Sequence, residues 1–256
     1  MKYLTSAKNS FLSLLTYRAN FLISLISRAI QLGLAFLMWA AIYQNTADTV
    51  IQGYTASQMF KYLLLTALLS FIFTFAPVFK LASSIKTGRL NTLLLRPISI
   101  NHDSLAIFLG SSSPFILLVL VFMTISQTHI VMTLCLIGYF ILSLIVWHEL
   151  MFIIGTLAFW LVQIWPLRPI INGLYLLFGG LLFPLDILPP FIYQLFRFFP
   201  ISLVSSDFVE LIVKEEQSLQ LMVVYSVALI GWYLVLKVCA NFLFKKGLKK
   251  FEGVGL

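Results

Sequence analysis

The sequence predicts an all-α integral membrane protein with six transmembrane helices, and three observations carry that prediction. Hydrophobic residues make up 61% of the chain and charged residues only 10%, whereas globular domains carry roughly a quarter charged residues. The apolar residues gather into six long stretches, at about 21–43, 59–83, 104–126, 131–164, 170–188 and 219–244. A hydrocarbon core of ~30 Å takes about 20 residues of helix to cross. Period-2 alternation is missing from these stretches, which argues against an outer-membrane barrel.

The elements follow in chain order. Residues 1–20 are expected to form an amphipathic helix on the membrane surface. Leu4, Ala7, Phe11, Leu14 and Leu15 recur at helical spacing, with Lys2, Ser6, Asn9, Ser13 and Thr16 on the other side. The first apolar run begins beyond these residues and is longer than the apolar region of a secretory signal, so it is expected to stay as an anchor. The 131–164 run exceeds one perpendicular crossing and is expected to tilt or to project beyond the lipid.

Between 179 and 218 regular helix is interrupted. Gly179, Gly180, Pro184, Pro189, Pro190 and Pro200 each weaken its continuation. The fifth span is expected to break near the outer surface, giving a re-entrant hairpin with a short interfacial helix at 191–198. Phe183, Phe191, Tyr193, Phe196, Phe198 and Phe199 suit the headgroup boundary. With no repeat, residues 1–256 are expected to form a single domain.

The net charge of +8 is a topology signal and does not point to nucleic acid. Lys2, Lys8 and Arg18 precede the first span. Lys80, Lys86, Arg89 and Arg96 cluster around the end of the second, Arg168 lies between the fourth and fifth, and Lys245, Lys246, Lys249 and Lys250 follow the sixth. The loops at 44–58 and 127–130 hold no Lys or Arg, and Arg197 and Lys214 in 189–218 are outnumbered by Asp207, Glu210, Glu215 and Glu216. By the positive-inside rule both termini face the cytoplasm, and the basic side suits anionic lipid. Cys135 and Cys239 lie in separate apolar runs and are expected to be small core residues.

Enzymatic motifs are missing. No G-x-x-x-x-G-K-[ST] loop or G-x-S-x-G elbow is present. His148-Glu149 begins a zinc-protease H-E-x-x-H pattern, but Phe152 stands where the second histidine is needed. Glu215-Glu216 resembles the start of an intramembrane protease motif but lies in a polar loop. His102, His129 and His148 are scattered. No bound metal or cofactor is expected. Glu149, in mid-span, costs a few kcal/mol unless paired, protonated or turned to a polar cavity. With His148 it is a candidate pathway residue, and the structural alternative is a hydrogen bond near His148 or to another helix, including a pair with Arg28 or Lys237. Arg28 and Lys237 are placed to snorkel.

The segment from Ile85 to Ser99 combines an apolar knob with cations. Gly88 and Pro97 bound it, Leu90, Leu93 and Leu94 share a helical face, and Arg89 and Arg96 flank it. Such a knob needs a partner or a lipid surface to cover it.

Gly88-x-Leu90-x-x-Leu93-Leu94-x-x-Pro97 resembles the cytoplasmic coupling motif of the membrane permease subunits of type-2 (ABC-2) ABC exporters. Gly180-x-x-x-Pro184, Leu188-Pro189-Pro190 and Phe199-Pro200 resemble that family's broken hairpin between the last two spans. Lys246-Gly247-Leu-Lys-Lys-Phe251-Glu252-Gly253 is similar to the tail of a small, paired bacterial subfamily. The resemblance implies a separate ATPase subunit, carrying ATP and Mg, docked near 84–98. It further implies a second permease, identical or homologous, in the bacterial cytoplasmic membrane. Hydrophobic compounds, antibiotics or antimicrobial peptides are the implied cargo. The chain departs from larger members in having no large external domain. A secondary transporter, or a non-transporting immunity or signalling subunit, is the alternative.

Overall fold

The computed structural model describes residues 2–45, 50–126, 130–161, 163–214 and 219–251. The turn expected at 127–130 falls mostly outside them, as do Glu215-Glu216 and the Glu252-Gly253 end of the tail motif. Among the described residues, five helical segments are long and apolar enough to cross a membrane: Phe21–Asn45, Ala56–Lys86, Ile100–Ser126, Ile130–Phe159 and Leu219–Lys250.

Helix α1 (Lys2–Thr16) precedes α2 (Arg18–Asn45), and a two-stranded hairpin, β1 (Val50–Ile51) with β2 (Tyr54–Thr55), leads into the second span. Thr55 and Gln58 form a capping box at that helix start. The second span is two helices, α3 (Ala56–Ile72) and α4 (Ala76–Lys86). Pro77 supplies no N–H for the bond back to Phe73, so the run breaks there. The Trp147 indole, from a neighbouring helix, donates to the exposed Thr74 carbonyl at 3.2 Å.

Beyond the short α5 (Arg89–Leu94) come α6 (Ile100–Ser126) and α7 (Ile130–Thr156). Pro114 lies inside α6 and cannot bond to the Gly110 carbonyl, which accepts instead from Ser113 Oγ at 2.9 Å. Helix α7 tightens into a 3-10 turn at Leu157–Phe159 and stops. The expected 131–164 rod is thus shorter than its apolar run. Its ending leaves Trp165 exposed, stacked on Phe79 with centroids 4.9 Å apart.

In the expected fifth span at 170–188, regular helix occupies only the first part. Helix α8 (Leu167–Phe178) has 12 residues, a rise of ~18 Å that falls short of a full crossing. At Gly179 a Cβ would lie 2.4 Å from the Tyr175 carbonyl oxygen. Gly180 adopts φ +66°, and its Cβ would lie 2.3 Å from the Tyr62 hydroxyl. The chain then folds back through α9 (Pro190–Phe196), α10 (Pro200–Val204) and α11 (Ser206–Val213) before α12 (Leu219–Lys250).

Helices α2, α3–α4, α6 and α7 alternate in direction, and α12 runs alongside α7 in the same sense, Glu149 beside Lys237 and Phe159 beside Phe251. Thus α1, α5, the end of α7 and the end of α12 share one face, called the terminal face here. The β hairpin and α9–α11 occupy the opposite, distal face. Helix α1 does not simply lie flat. Its Ser6 hydroxyl donates to Asp103 of α6 at 2.5 Å, and its Tyr3 hydroxyl accepts from the Ser99 N–H at 3.1 Å. Ser10 is buried, while Leu4, Phe11 and Leu15 stay exposed. The small face, including Ala7, is pressed on α6, and Leu4, Phe11 and Leu15 point away from it.

Gly110 permits this approach, since a Cβ there would lie 2.1 Å from the Ala7 carbonyl oxygen. Gly110→Val should detach α1 from α6. Limited proteolysis in detergent would then cut within residues 2–16 faster than in the parent chain.

Candidate functional site

Three arrangements stand out: a small helix on the terminal face, a polar triangle between spans, and a buried hairpin on the distal face.

Gly88 takes the left-handed conformation, φ +71°, and turns the chain from α4 into α5. Leu95 N–H and Arg96 N–H close the far end on Asn91 and Leu93 carbonyls, at 3.2 Å each, just before Pro97. The leucines divide differently from the expected exposed knob of Leu90, Leu93 and Leu94. Leu90 is 0% exposed and anchors the helix in the core, and Leu93 is half-buried. Leu94 and Leu95 point outward, Leu95 87% exposed, with Arg89 and Arg96 exposed beside them. Leu90 and Leu94 lie one turn apart on one side of this short helix, so its first turn is rooted in the core while its far end, Leu94 with Leu95 just past it, is free.

Glu149 of α7 is 1% exposed and is fully engaged. Its Oε1 accepts from Lys237 Nζ of α12 at 2.6 Å, and its Oε2 accepts from Asn101 Nδ2 of α6 at 3.0 Å. Lys237 Nζ also donates to Asn101 Oδ1 at 2.9 Å. Three spans therefore meet in a closed triangle in which each group satisfies the other two. Lys237 pairs here and does not simply snorkel. His148 points elsewhere, between Phe108 and Phe152 with centroids 6.1 and 6.0 Å away. Its ring nitrogens find no hydrogen-bond partner among the described residues. Arg28 also stays inside, bonded to the Ser70 hydroxyl and with its guanidinium 4.7 Å over the Phe71 ring.

On the distal face the expected breakers serve as starters. Pro190 and Pro200 open α9 and α10 in the first turn, where a missing N–H costs nothing. Every residue from Pro200 to Val213 is buried. The Tyr139 hydroxyl donates to the Leu203 carbonyl at 2.7 Å, and Phe208 stacks on Tyr139 and Phe140 of α7. Arg197 Nε donates to the Tyr225 hydroxyl of α12 at 2.9 Å, and the Trp232 indole donates to the Phe198 carbonyl at 2.7 Å. The glycine pair is fastened too: Ser205 donates to the Gly179 carbonyl at 2.8 Å and Tyr62 to that of Gly180 at 2.9 Å. Helix α9 lies outside, with Phe191 and Leu195 exposed, where the sequence placed the interfacial helix.

Lys214 at the hairpin's end pairs with Asp186 and with Glu210, the latter at 3.2 Å. Burial pulls its ammonium pKa down, but Glu210 and Asp186 outweigh that and hold it above the ordinary lysine value. Asp207 is wholly buried, with one oxygen accepting from Ser202 Oγ at 3.1 Å. Burial, then the Glu210 charge, push its carboxyl well above the usual range.

Asn101, Trp147, Tyr62 and Tyr139 were not singled out by the sequence. A lone Asn in the first turn of a span, with an acid and a lysine elsewhere in spans, was the available signal for Asn101.

The chain matches the family described as ABC-2 family transporter protein over residues 29–255. It belongs to the ABC-2 transporter family. A comparison with curated proteins finds no match. The chain is thus a multi-pass membrane permease subunit of an ABC transporter, a transport component that is not itself catalytic, and the family implies association with an ABC ATPase subunit.

Two predictions follow from this geometry. Lys237→Met leaves the Glu149 carboxylate buried without its cation and should cost about 3 kcal/mol, the low end for a broken buried pair because the lysine is partly exposed. Thermal unfolding in detergent measures it, and Glu149→Gln with Lys237→Met should recover most of the loss. The second concerns Asp207, whose raised carboxyl holds a proton in the folded state that the unfolded chain releases. Its contribution therefore declines as pH rises from about 4, the unfolded aspartate value, towards the folded one. Asp207→Asn should flatten that decline in the unfolding midpoint between pH 5 and 8.

Proposed function

We propose that this permease forms the membrane path of an ATP-driven exporter, as one half of a pair with a copy of itself or a homologous permease. The terminal face, with both chain ends, lies in the cytoplasm of a bacterial cell and meets the ATPase, which carries ATP and Mg. The basic residues of that face support the orientation.

The observation that carries the reading is the division of α5. Leu90 fixes the helix to the permease core, while Leu94 and Leu95 offer an apolar tip between Arg89 and Arg96. Such a tip suits a cleft with an apolar floor and acidic rim on a soluble partner. The chain itself contains no nucleotide-binding loop, so the driving energy arrives across this contact.

Coupling then runs by rigid-body motion. ATP closes the paired ATPases, and the docked α5 shifts α4 and α6 with it. ATP must bind the two conformations with different affinities for anything to move. The distal hairpin, with Gly179, Gly180, Pro184, Pro189, Pro190 and Pro200, is the external gate. Helix α2, whose most apolar stretch contains no buried residue, supplies surface for lipid and for the second permease. Cargo that crosses such an apolar path is a hydrophobic compound, an antibiotic or an antimicrobial peptide. Glu149 stands outside the cargo path in this reading, since both its oxygens are taken.

Leu94→Asp with Leu95→Asp should abolish copurification of the ATPase while leaving the permease folded. Leu90→Asp should instead destabilise the permease itself by burying a charge. Persistent copurification with Leu94→Asp/Leu95→Asp overturns the docking role. An insertion of the same tip into anionic vesicles, with no ATPase bound, assigns it to the lipid surface instead.

A further inference from the structure

We infer that Asn101 is the positioning residue through which motion of α5 reaches α7 and α12, and by them the distal hairpin. The inference rests on the reading of α5 as the ATPase dock and adds the route beyond it.

Asn101 lies in the first turn of α6, seven residues after the end of α5, with the Pro97 turn between. Its side-chain amide is the only one of the triangle's three groups with both a donor and an acceptor in use there. The NH2 donates to Glu149 at 3.0 Å and the carbonyl accepts from Lys237 at 2.9 Å. A displacement of the α6 start therefore pulls on two helices at once. Without Asn101 the Glu149–Lys237 bond at 2.6 Å still joins α7 to α12, but among the described residues nothing polar ties that pair to α6.

The two helices held by the triangle also hold the hairpin, beside α3, whose Tyr62 bonds Gly180 and Ser206. Along α7, Tyr139 lies ten residues before Glu149, about 15 Å away along the axis, and Tyr139 and Phe140 carry Leu203 and Phe208. Along α12, Tyr225 lies twelve residues before Lys237, about 18 Å away, and holds Arg197. Trp232 of the same helix holds the Phe198 carbonyl. Helices of this length transmit tilt as rods. A shift at the triangle is delivered to both sides of the 197–208 stretch.

The Asn residue also makes the triangle tolerant of one particular exchange. If the charges of positions 149 and 237 are swapped, the amide can turn over by about 180° and offer its carbonyl to the new lysine and its NH2 to the new glutamate, using the inventory of an amide side chain. A hydrocarbon side chain at 101 has no such option.

The test uses the full permease with its copurified ATPase in lipid nanodiscs. Amide hydrogen–deuterium exchange of residues 200–213 is compared without nucleotide and with ATP plus vanadate, beside ATP hydrolysis and ATPase retention. Asn101→Leu keeps the Glu149–Lys237 bond, so it should fold, retain the ATPase and hydrolyse ATP, yet lose the nucleotide-dependent change at 200–213. The exchange Glu149→Lys with Lys237→Glu should restore a response that Lys237→Glu alone lacks. A merely structural role would lower folded yield and hydrolysis together and leave the response of the folded fraction intact.

A parental-type response in Asn101→Leu overturns the inference, as does a parent complex whose 200–213 exchange ignores nucleotide. If Asn101→Leu does not fold, the swapped pair decides: no recovery over Lys237→Glu overturns the inference. Failure of the parent chain to retain an ATPase overturns the docking reading and this route with it, whereas retained docking with an unchanged response removes this route alone.

Discussion

A bilayer supplies no hydrogen bonds, so every backbone or side-chain polar group placed within it must find its partner inside the protein. Most of the departures from straight helix in this chain are answers to that demand. The carbonyl freed near Pro77 is met by the Trp147 indole, and the one freed by Pro114 is met by Ser113. The Gly179 and Gly180 carbonyls, exposed where α8 ends, are taken by Ser205 and Tyr62. In each case a side chain from another element, or from one turn away, replaces the bond that helix would have made. The breaks thereby become points where separate elements are tied together.

The same demand explains the charged triangle. An isolated carboxylate at the depth of Glu149 would not persist in ionised form. Pairing with Lys237 answers the charge but leaves Glu149 Oε2 unmet, and Asn101 completes the set. Such closed networks stabilise little compared with an apolar core and are costly when incomplete. Their effect is geometric, since α6, α7 and α12 are held in one register at this level. For the proposed exporter, that fixed register is what allows force at a cytoplasmic helix to be felt across the membrane.

The crossing helices were legible because span length and hydropathy are local properties. Five of the apolar runs became helices with bounds close to those expected, and α9 appeared where aromatic residues and prolines placed an interfacial helix. What was not legible depends on which helix faces which. The run at 170–188 is mostly apolar, broken by Asn172 and Asp186, yet Gly180 at φ +66° and the Tyr62 hydroxyl beside it turn the chain back after Phe178. Hydropathy counts those residues as span and is blind to their backbone. Likewise, helical spacing placed Leu90 with Leu93 and Leu94 on one face. It could not say that the core would cover Leu90 and leave the tip to Leu94 and Leu95.

Pairing between spans was the hardest feature to foresee, because Asn101, Glu149 and Lys237 are far apart in sequence and each has a sufficient solitary explanation. Asn101 suits a helix start, Lys237 can extend its stem towards a surface, and Glu149 can be protonated. Only their convergence removes those explanations together. A lysine that snorkels needs no acid, and a protonated acid needs no lysine, so one short Lys237–Glu149 contact replaces two independent accounts with one. The amide that bridges both charges then belongs to neither surface nor lipid, and it lies seven residues beyond the proposed dock.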